Sequence, residues 1–317
     1  MKRRDLYSGF ALALAILLFP VLTGGNQYFI SLLVFMGINS IITLGLSMLM
    51  GYAGQISLGH AAFFGIGAYA SGILTTKFSL HFFPALLVGI GLAALIAFLV
   101  GKPTLRLKGH YMAVATLGIG EILFIVFNEL APLTGGPSGL SGIPSLQILG
   151  YSLEGAPYLY LVWGAVLLLL AFSLNVINSR VGRALRAVHG SELAARAMGV
   201  DASRYKIQVF ILSAVYASLA GSLYAHFVTF ISPGSFGLMF SILLLMMVVV
   251  GGAETIWGAL IGASLLTILP ESLRGLEDFE VLVYGAILMA VLLFMPRGIW
   301  VRLRSISWRR KERGERP

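Results

Sequence analysis

Residues 6–76 read LYSGFALALAILLFPVLTGGNQYFISLLVFMGINSIITLGLSMLMGYAGQISLGHAAFFGIGAYASGILTT, 71 residues without one Asp, Glu, Lys or Arg. A bilayer-spanning helix needs about 20 apolar residues, so this stretch holds about three spans. Its apolar residues come in runs rather than in strand-like alternation, which predicts helices and excludes a barrel. The pattern breaks at Gly51–His60, where Gly-Tyr-Ala-Gly-Gln-Ile-Ser-Leu-Gly-His is uncharged but polar. A second uncharged stretch, 207–253, holds about two more spans.

The whole chain agrees. Of 317 residues, 58% are apolar and 11% charged, against roughly 45–50% and 25% in a soluble domain. Disorder is excluded, because disordered chains are polar and poor in aromatics. A disulfide scaffold is excluded because there is no Cys. The expected fold is all-α, a polytopic transmembrane helical bundle of 8–10 spans. The spans fall near Tyr7–Leu22, Phe29–Met50, Ala61–Thr76, Phe83–Gly101, Tyr111–Leu130, Tyr158–Ile177, Ile207–Phe230, Phe236–Val250, Ile256–Pro270 and Val281–Met295. No small-x-small cleavage site follows the first, so it reads as an uncleaved helix. Reading two of the short segments as re-entrant gives eight spans with the same sidedness.

Charge sets the orientation. Basic residues gather in cytoplasmic loops, and one arrangement places 20 of the 22 Lys and Arg residues inside, leaving out Lys77 and Arg274. The outer segments then carry Glu129, Glu154, Glu271, Glu277, Asp278 and Glu280. Both termini are expected in the cytoplasm. Residues 1–300 read as a single transmembrane domain with a cytoplasmic segment at 178–206, and 301–317 as a basic cytoplasmic tail. This positive charge suits membrane lipid. No basic soluble domain exists to bind nucleic acid.

The cytoplasmic segment is predicted to form two short helices. Gly190 ends the first and Ser191 N-caps the second. Glu192 and Arg196 stand four apart in the favourable order, Gly199 supplies a left-handed C-cap, and Asp201 caps the next span. Small Ala residues let another surface approach closely, so the segment reads as a docking element. It also reads as a connecting loop whose charge merely sets topology.

Elsewhere the polar groups are few. Irregular backbone at membrane depth survives only when buried in protein or lining a wet cavity, which singles out Gln55, Ser57 and His60 as candidates for a substrate route. The alternative is a Gly-rich helix contact, with His60 in a packing role. Glu121, mid-way along the fifth span, costs roughly 2.5–3.5 kcal/mol in hydrocarbon and so faces a cavity or a partner, as a pathway or gate group or else as a structural hydrogen bond to a neighbouring helix or a site displaced toward the interface. Asn39 and Asn128 are lesser cases. Gly251–Gly262 repeats the cadence of the Gly51 region, with Glu254 expected at the inner interface. Gly139-Leu-Ser141-Gly142 matches the Gly-x-Ser-Gly of intramembrane proteases, but Ser141 sits between Pro137 and Pro144 in an outer loop expected to be flexible or lid-like. There is no P-loop, and His60, His81, His110, His189 and His226 show no metal-binding spacing. No cofactor, metal site or enzymatic activity is expected.

Several motifs carry a family resemblance. Glu192-Leu-Ala194-Ala195-x-x-x-Gly199 resembles the loop by which ABC importer permeases engage their ATPases. Gly54-Gln-Ile-Ser-Leu-Gly-His-Ala-Ala-Phe63, Gly67-Ala-Tyr69, Arg106-Leu-Lys-Gly-His-Tyr-Met-Ala-Val-Ala-Thr-Leu117 with Glu121, Thr134-Gly-Gly-Pro-Ser-Gly-Leu-Ser-Gly-Ile-Pro144 and Pro296-Arg-Gly298 resemble the branched-chain amino-acid ABC importer permeases. Within that pair of permeases the chain is similar to the partner with the longer periplasmic segment. Glu254 and Ala259 depart from the family's Gly and Pro at the Gly251 turn.

The resemblance implies a bacterial inner-membrane permease subunit for branched-chain or related apolar amino acids. It implies two cytosolic ABC ATPase subunits, a second homologous permease and a periplasmic or extracellular substrate-binding protein as partners. It places ATPase coupling at Gly182, Arg183, Arg186, Glu192, Ala194, Ala195, Arg196 and Gly199. Gln55, Ser57, His60, Glu121 and Asn128 are the pathway candidates. The alternatives are a permease of this architecture for urea, an amide or a sugar, an ion-coupled secondary transporter, and an intramembrane enzyme.

Overall fold

The computed structural model describes residues 3–22, 24–104, 110–148, 151–273 and scattered positions from 282 to 302. The helices α1 (Arg3–Leu22), α2 (Gln27–Ser47), α3 (His60–Lys77), α4 (Phe82–Thr104) and α5 (His110–Glu129) come first. Then α6 (Ala131–Thr134) and the antiparallel pair β1 (Gln147–Ile148) and β2 (Tyr151–Ser152) form a connecting loop. The helices α7 (Ala156–Asn178), α8 (Arg180–Gly190), α9 (Glu192–Ala197), α10 (Ala202–Val228), α11 (Leu238–Gly251) and α12 (Ile256–Leu273) complete the described chain. A π-helical turn, Met48–Tyr52, extends α2.

The long apolar runs form helices for one reason. With no water in hydrocarbon, backbone N–H and C=O groups must pair within their own segment. Seven helices among the described residues are long and apolar enough to span a membrane: α2 with its π turn, α4, α5, α7, α10, α11 with its preceding 3-10 turn, and α12. The fold is an all-α polytopic bundle. The expected span at 281–295 lies largely outside the described residues, as do Arg106, Lys108 and most of the basic tail.

The helix α3 is not among those seven, and burial explains why. Only Lys77 of α3 is exposed. A helix enclosed by protein needs no greasy surface, and α3 is rich in Gly, Ala, Ser and Thr. These small residues bring α10 against it. A Cβ on Gly67 would lie 1.9 Å from the Ser218 carbonyl oxygen, and one on Gly221 would lie 1.9 Å from that of Phe64. The Ser222 hydroxyl donates to the Gly67 carbonyl at 3.0 Å. The helix α4 packs through a second small stripe, Ala85, Gly89, Ala93, Ala97 and Gly101, all buried at a spacing of four. Its other face, with Phe83, Leu87, Leu95 and Leu99, is exposed, as a lipid-facing surface should be.

The loop after α5 is pinned rather than flexible. Leu140 and Ile231 exchange backbone hydrogen bonds at 2.8 and 3.0 Å, and Ile143 N–H donates to the Thr229 carbonyl. Leu140, Ile143 and Leu146 are buried, so an apolar triplet plugs this end of the bundle. Lys77 adds a hydrogen bond to the Pro132 carbonyl. Ser141 is exposed on the loop surface.

The α3–α10 contact predicts a sharp asymmetry. Gly221→Leu should abolish folded protein, because ordinary overpacking already costs about 1–3 kcal/mol and here the obstacle is backbone. Gly91→Leu, where an added Cβ meets nothing within 4 Å, should leave the elution profile and melting temperature of detergent-solubilised protein unchanged.

Candidate functional site

The break at Gly51–His60 sits inside the bundle. Gln55 is 3% exposed, and Ser57 and His60 are fully buried. Gly54 adopts φ +67°, a left-handed turn that favours Gly, and the chain re-enters helix at His60. His60 Nδ1 pairs with the Ser57 hydroxyl at 2.9 Å, and Nε2 with the Ser213 hydroxyl of α10 at 2.5 Å. Both ring nitrogens are therefore engaged in joining the break to α10. Leu58 N–H donates to the Thr116 hydroxyl of α5, and Ala61 N–H to the Ser241 hydroxyl of α11. Gln55 differs. Neither atom of its buried side-chain amide has a hydrogen-bond partner among the described residues, and leaving such a group unpaired costs about 1–3 kcal/mol.

Glu121 stands on the outward face of α5, exposed, beside a crevice lined by Leu58, Gly120, Phe236 and Ser241. Asn128 is half-buried, and its side chain donates to the Phe124 carbonyl of its own helix. Asn39 donates to the Thr267 hydroxyl at 2.9 Å, joining α2 to α12. The structure thus brings Gln55, Ser57 and His60 together, sets Glu121 in a small crevice with Leu58 and Ser241 beside the break, and leaves Asn128 bonded to its own helix.

The segment 178–206 folds as two capped helices. The Ser179 hydroxyl accepts from Val181 N–H, that of Ser191 from Ala194 N–H, and the Asp201 carboxylate from Arg204 N–H. Gly199 has φ +81°. Glu192 pairs with Arg196 at 2.6 Å and also with Lys206 at 2.6 Å. The second pair ties α9 to the start of α10, a link that needed the tertiary fold to appear. Gly182 packs on the Ile177 carbonyl, and Arg183 is exposed.

Ala195 and Ala194 face opposite ways. Ala195 is buried against Val188, Val200 and Ala202, whereas Ala194 is exposed. Beside Ala194 the outer face presents Leu193 at 76% and Met198 at 84% exposure. These two residues escaped the sequence reading. The available signal was a pair of large apolar residues beside charged ones at a short helix whose Ala195 faces inward.

The two regions meet. A Cβ on Gly54 would lie 3.3 Å from His189 Nδ1 of α8. The Arg186 guanidinium lies 5.9 Å over the Tyr52 ring and donates to the Ile177 carbonyl at 3.0 Å. So α8 touches the break at both Tyr52 and Gly54.

Residues 28–294 match the family model described as the permease component of the branched-chain amino acid transport system. The chain belongs to that family. It is 34% identical over 286 residues to the high-affinity branched-chain amino acid transport system permease protein LivM of Escherichia coli, covering 82% of this chain and 67% of LivM. It is 23% identical over 317 residues to the probable LivM of Methanocaldococcus jannaschii, covering 84% and 92%. It is also 28% identical over 284 residues to E. coli LivH, covering 82% and 90%. No solved structure matches. Both permease types of one transport system are thus among the relatives of this membrane permease.

In this permease the unpaired Gln55 amide and the buried Ala195 make separable predictions. Gln55→Leu should raise the melting temperature, by relieving roughly 1–3 kcal/mol of unpaired burial, while lowering uptake in a cell assay. Ala195→Asp should destabilise the fold itself, because it buries a charge in an apolar cluster. Limited proteolysis at the α9–α10 junction reads the loss.

Proposed function

We propose that this chain is one of two homologous permease subunits of an inner-membrane ABC importer that brings branched-chain amino acids into the cell. Family membership and the descriptions of its relatives support the cargo. With no P-loop in the sequence, the power stroke comes from two ATPase subunits, and a substrate-binding protein delivers the cargo to the loop face around Leu140.

The contact of α8 with the break carries the mechanism. The exposed Leu193 and Ala194 of α9, with Met198 just after it, seat in an ATPase. Motion of α9 passes to α8 through the Val188–Ala195–Ala202 cluster and to α10 through the Glu192–Lys206 pair. The helix α8 then drives His189 against Gly54 and Arg186 against Tyr52. The turn at Gly54 moves with it, carrying Gln55, whose free amide is the group at the break able to bind a polar part of the cargo.

Glu121 supplies the reason for a second permease. A carboxylate exposed at the middle of a spanning helix is costly in lipid. A partner subunit or a wet route between two subunits removes that cost. The pinned loop provides a rigid platform for a delivering protein.

Replacing both Leu193 and Met198 by Asp should leave the melting temperature of the chain unchanged. Copurification of the ATPase and amino-acid uptake should each fall more than about 10-fold, since each buried side chain of this size contributes about 1.5–3 kcal/mol. Uptake by the purified single chain on an ion gradient, with no ATPase present, would overturn the reading.

A further inference from the structure

Two cavities meet on the flank of the bundle away from the α3–α10 core. The first is polar, about 240 Å³, and lies where α7 ends and α8 begins, lined by Tyr52, Asn178, Arg186, Glu254, Trp257 and Trp300. The second is an open apolar groove of about 660 Å³ between α1, α7 and α12, walled by Leu12, Trp163, Leu260 and Leu269. Trp257 and Trp300 line both, with ring centroids 6.4 Å apart. The groove follows α12 from Trp257 to Ser272, about 22 Å of helix axis. It therefore runs through the hydrocarbon layer, with the polar pocket at one end.

We infer that this composite site holds one phospholipid whose headgroup carries both a phosphate and a primary ammonium. A groove open to the bilayer and lined by Leu, Ile and Trp takes an acyl chain. Trp rings favour the interface between hydrocarbon and headgroup, and the Trp257–Trp300 pair marks that level here. The polar pocket holds a charge of each sign. Arg186 spends one N–H on the Ile177 carbonyl and lies over the Tyr52 ring, which fixes the guanidinium while other donors of its fork stay available for a phosphate. Glu254 is exposed and, among the described residues, makes no ion pair. Its carboxylate accepts N–H donors from a primary ammonium. A quaternary ammonium has none, and an anionic headgroup offers no cation at all. A free amino acid carries the same two charges, but it leaves the long apolar groove unfilled, so the lipid is the better fit.

Native mass spectrometry of the full-length purified chain tests this, with phosphatidylethanolamine, phosphatidylcholine and phosphatidylglycerol of matched acyl chains added in turn. Retention of phosphatidylethanolamine should exceed that of the other two by about 10-fold, the value of one charge-assisted hydrogen bond. Glu254→Gln should lower it to the level of phosphatidylcholine, and Arg186→Ala should lower retention of all three lipids, since each carries the phosphate. Ile268→Trp, at an exposed groove position, should lower retention of all three lipids by blocking the chain. Glu254 and Ile268 are both exposed, so those variants report even where Arg186→Ala fails to fold. Equal retention of the three lipids, retention untouched by Glu254→Gln, or displacement of bound phosphatidylethanolamine by free leucine would each overturn the assignment. None of these readouts depends on transport or on the ATPases.

Discussion

The backbone contact between α3 and α10 is the constraint on which the rest of the structure depends. Gly67 faces the Ser218 carbonyl and Gly221 faces that of Phe64, each with no room for a side chain. Lipid tails are as apolar as Leu, so burying hydrophobic surface does not by itself draw two helices together in a membrane. Close packing and interhelical hydrogen bonds do. Once these two helices touch, α3 is enclosed. The lipid-exposed surface then falls to the outer helices, α4 among them, whose small stripe turns inward and whose large apolar residues turn out.

That enclosure makes the break before α3 tolerable. Residues 54–59 leave helical geometry at membrane depth, and freed backbone there needs partners. Leu58 N–H finds the Thr116 hydroxyl of α5 and Ala61 N–H the Ser241 hydroxyl of α11, while the Ser57–His60–Ser213 side-chain bonds tie the break to α10. The break is thus a hydrogen-bonded joint in which the buried Gln55 amide has no partner among the described residues. Its other side lies against Tyr52 and Gly54, where α8 makes contact. A displacement at α9 has a continuous path of packed atoms to the Gly54 turn, through Ala195, Val188 and His189.

Much of this was legible in the residues. The helix positions followed from charge-free runs, because a bilayer accepts only segments that satisfy their own backbone. The caps at Ser191, Gly199 and Asp201 followed from local chemistry and fold as expected. The loop after α5 did not read correctly. Its Gly, Ser and Pro suggest flexibility, but Leu140, Ile143 and Leu146 bury themselves and Leu140 bridges to Ile231, 91 positions away. Ala194 and Ala195 also read alike, since one turn of a short helix does not reveal which side faces its neighbour.

The sequence by itself determined the class, the helix positions and the local caps, because hydropathy, charge and capping act over a few residues. Only the tertiary structure decided which polar groups meet. It joined His60 to Ser213 and Glu192 to Lys206, left the Gln55 amide without a partner among the described residues, exposed Glu121, and set His189 beside Gly54. These relations depend on how close two helices approach and how each is rotated. In the α3–α10 contact the close approach comes from Gly67 and Gly221, whose partners Ser218 and Phe64 lie more than a hundred positions away.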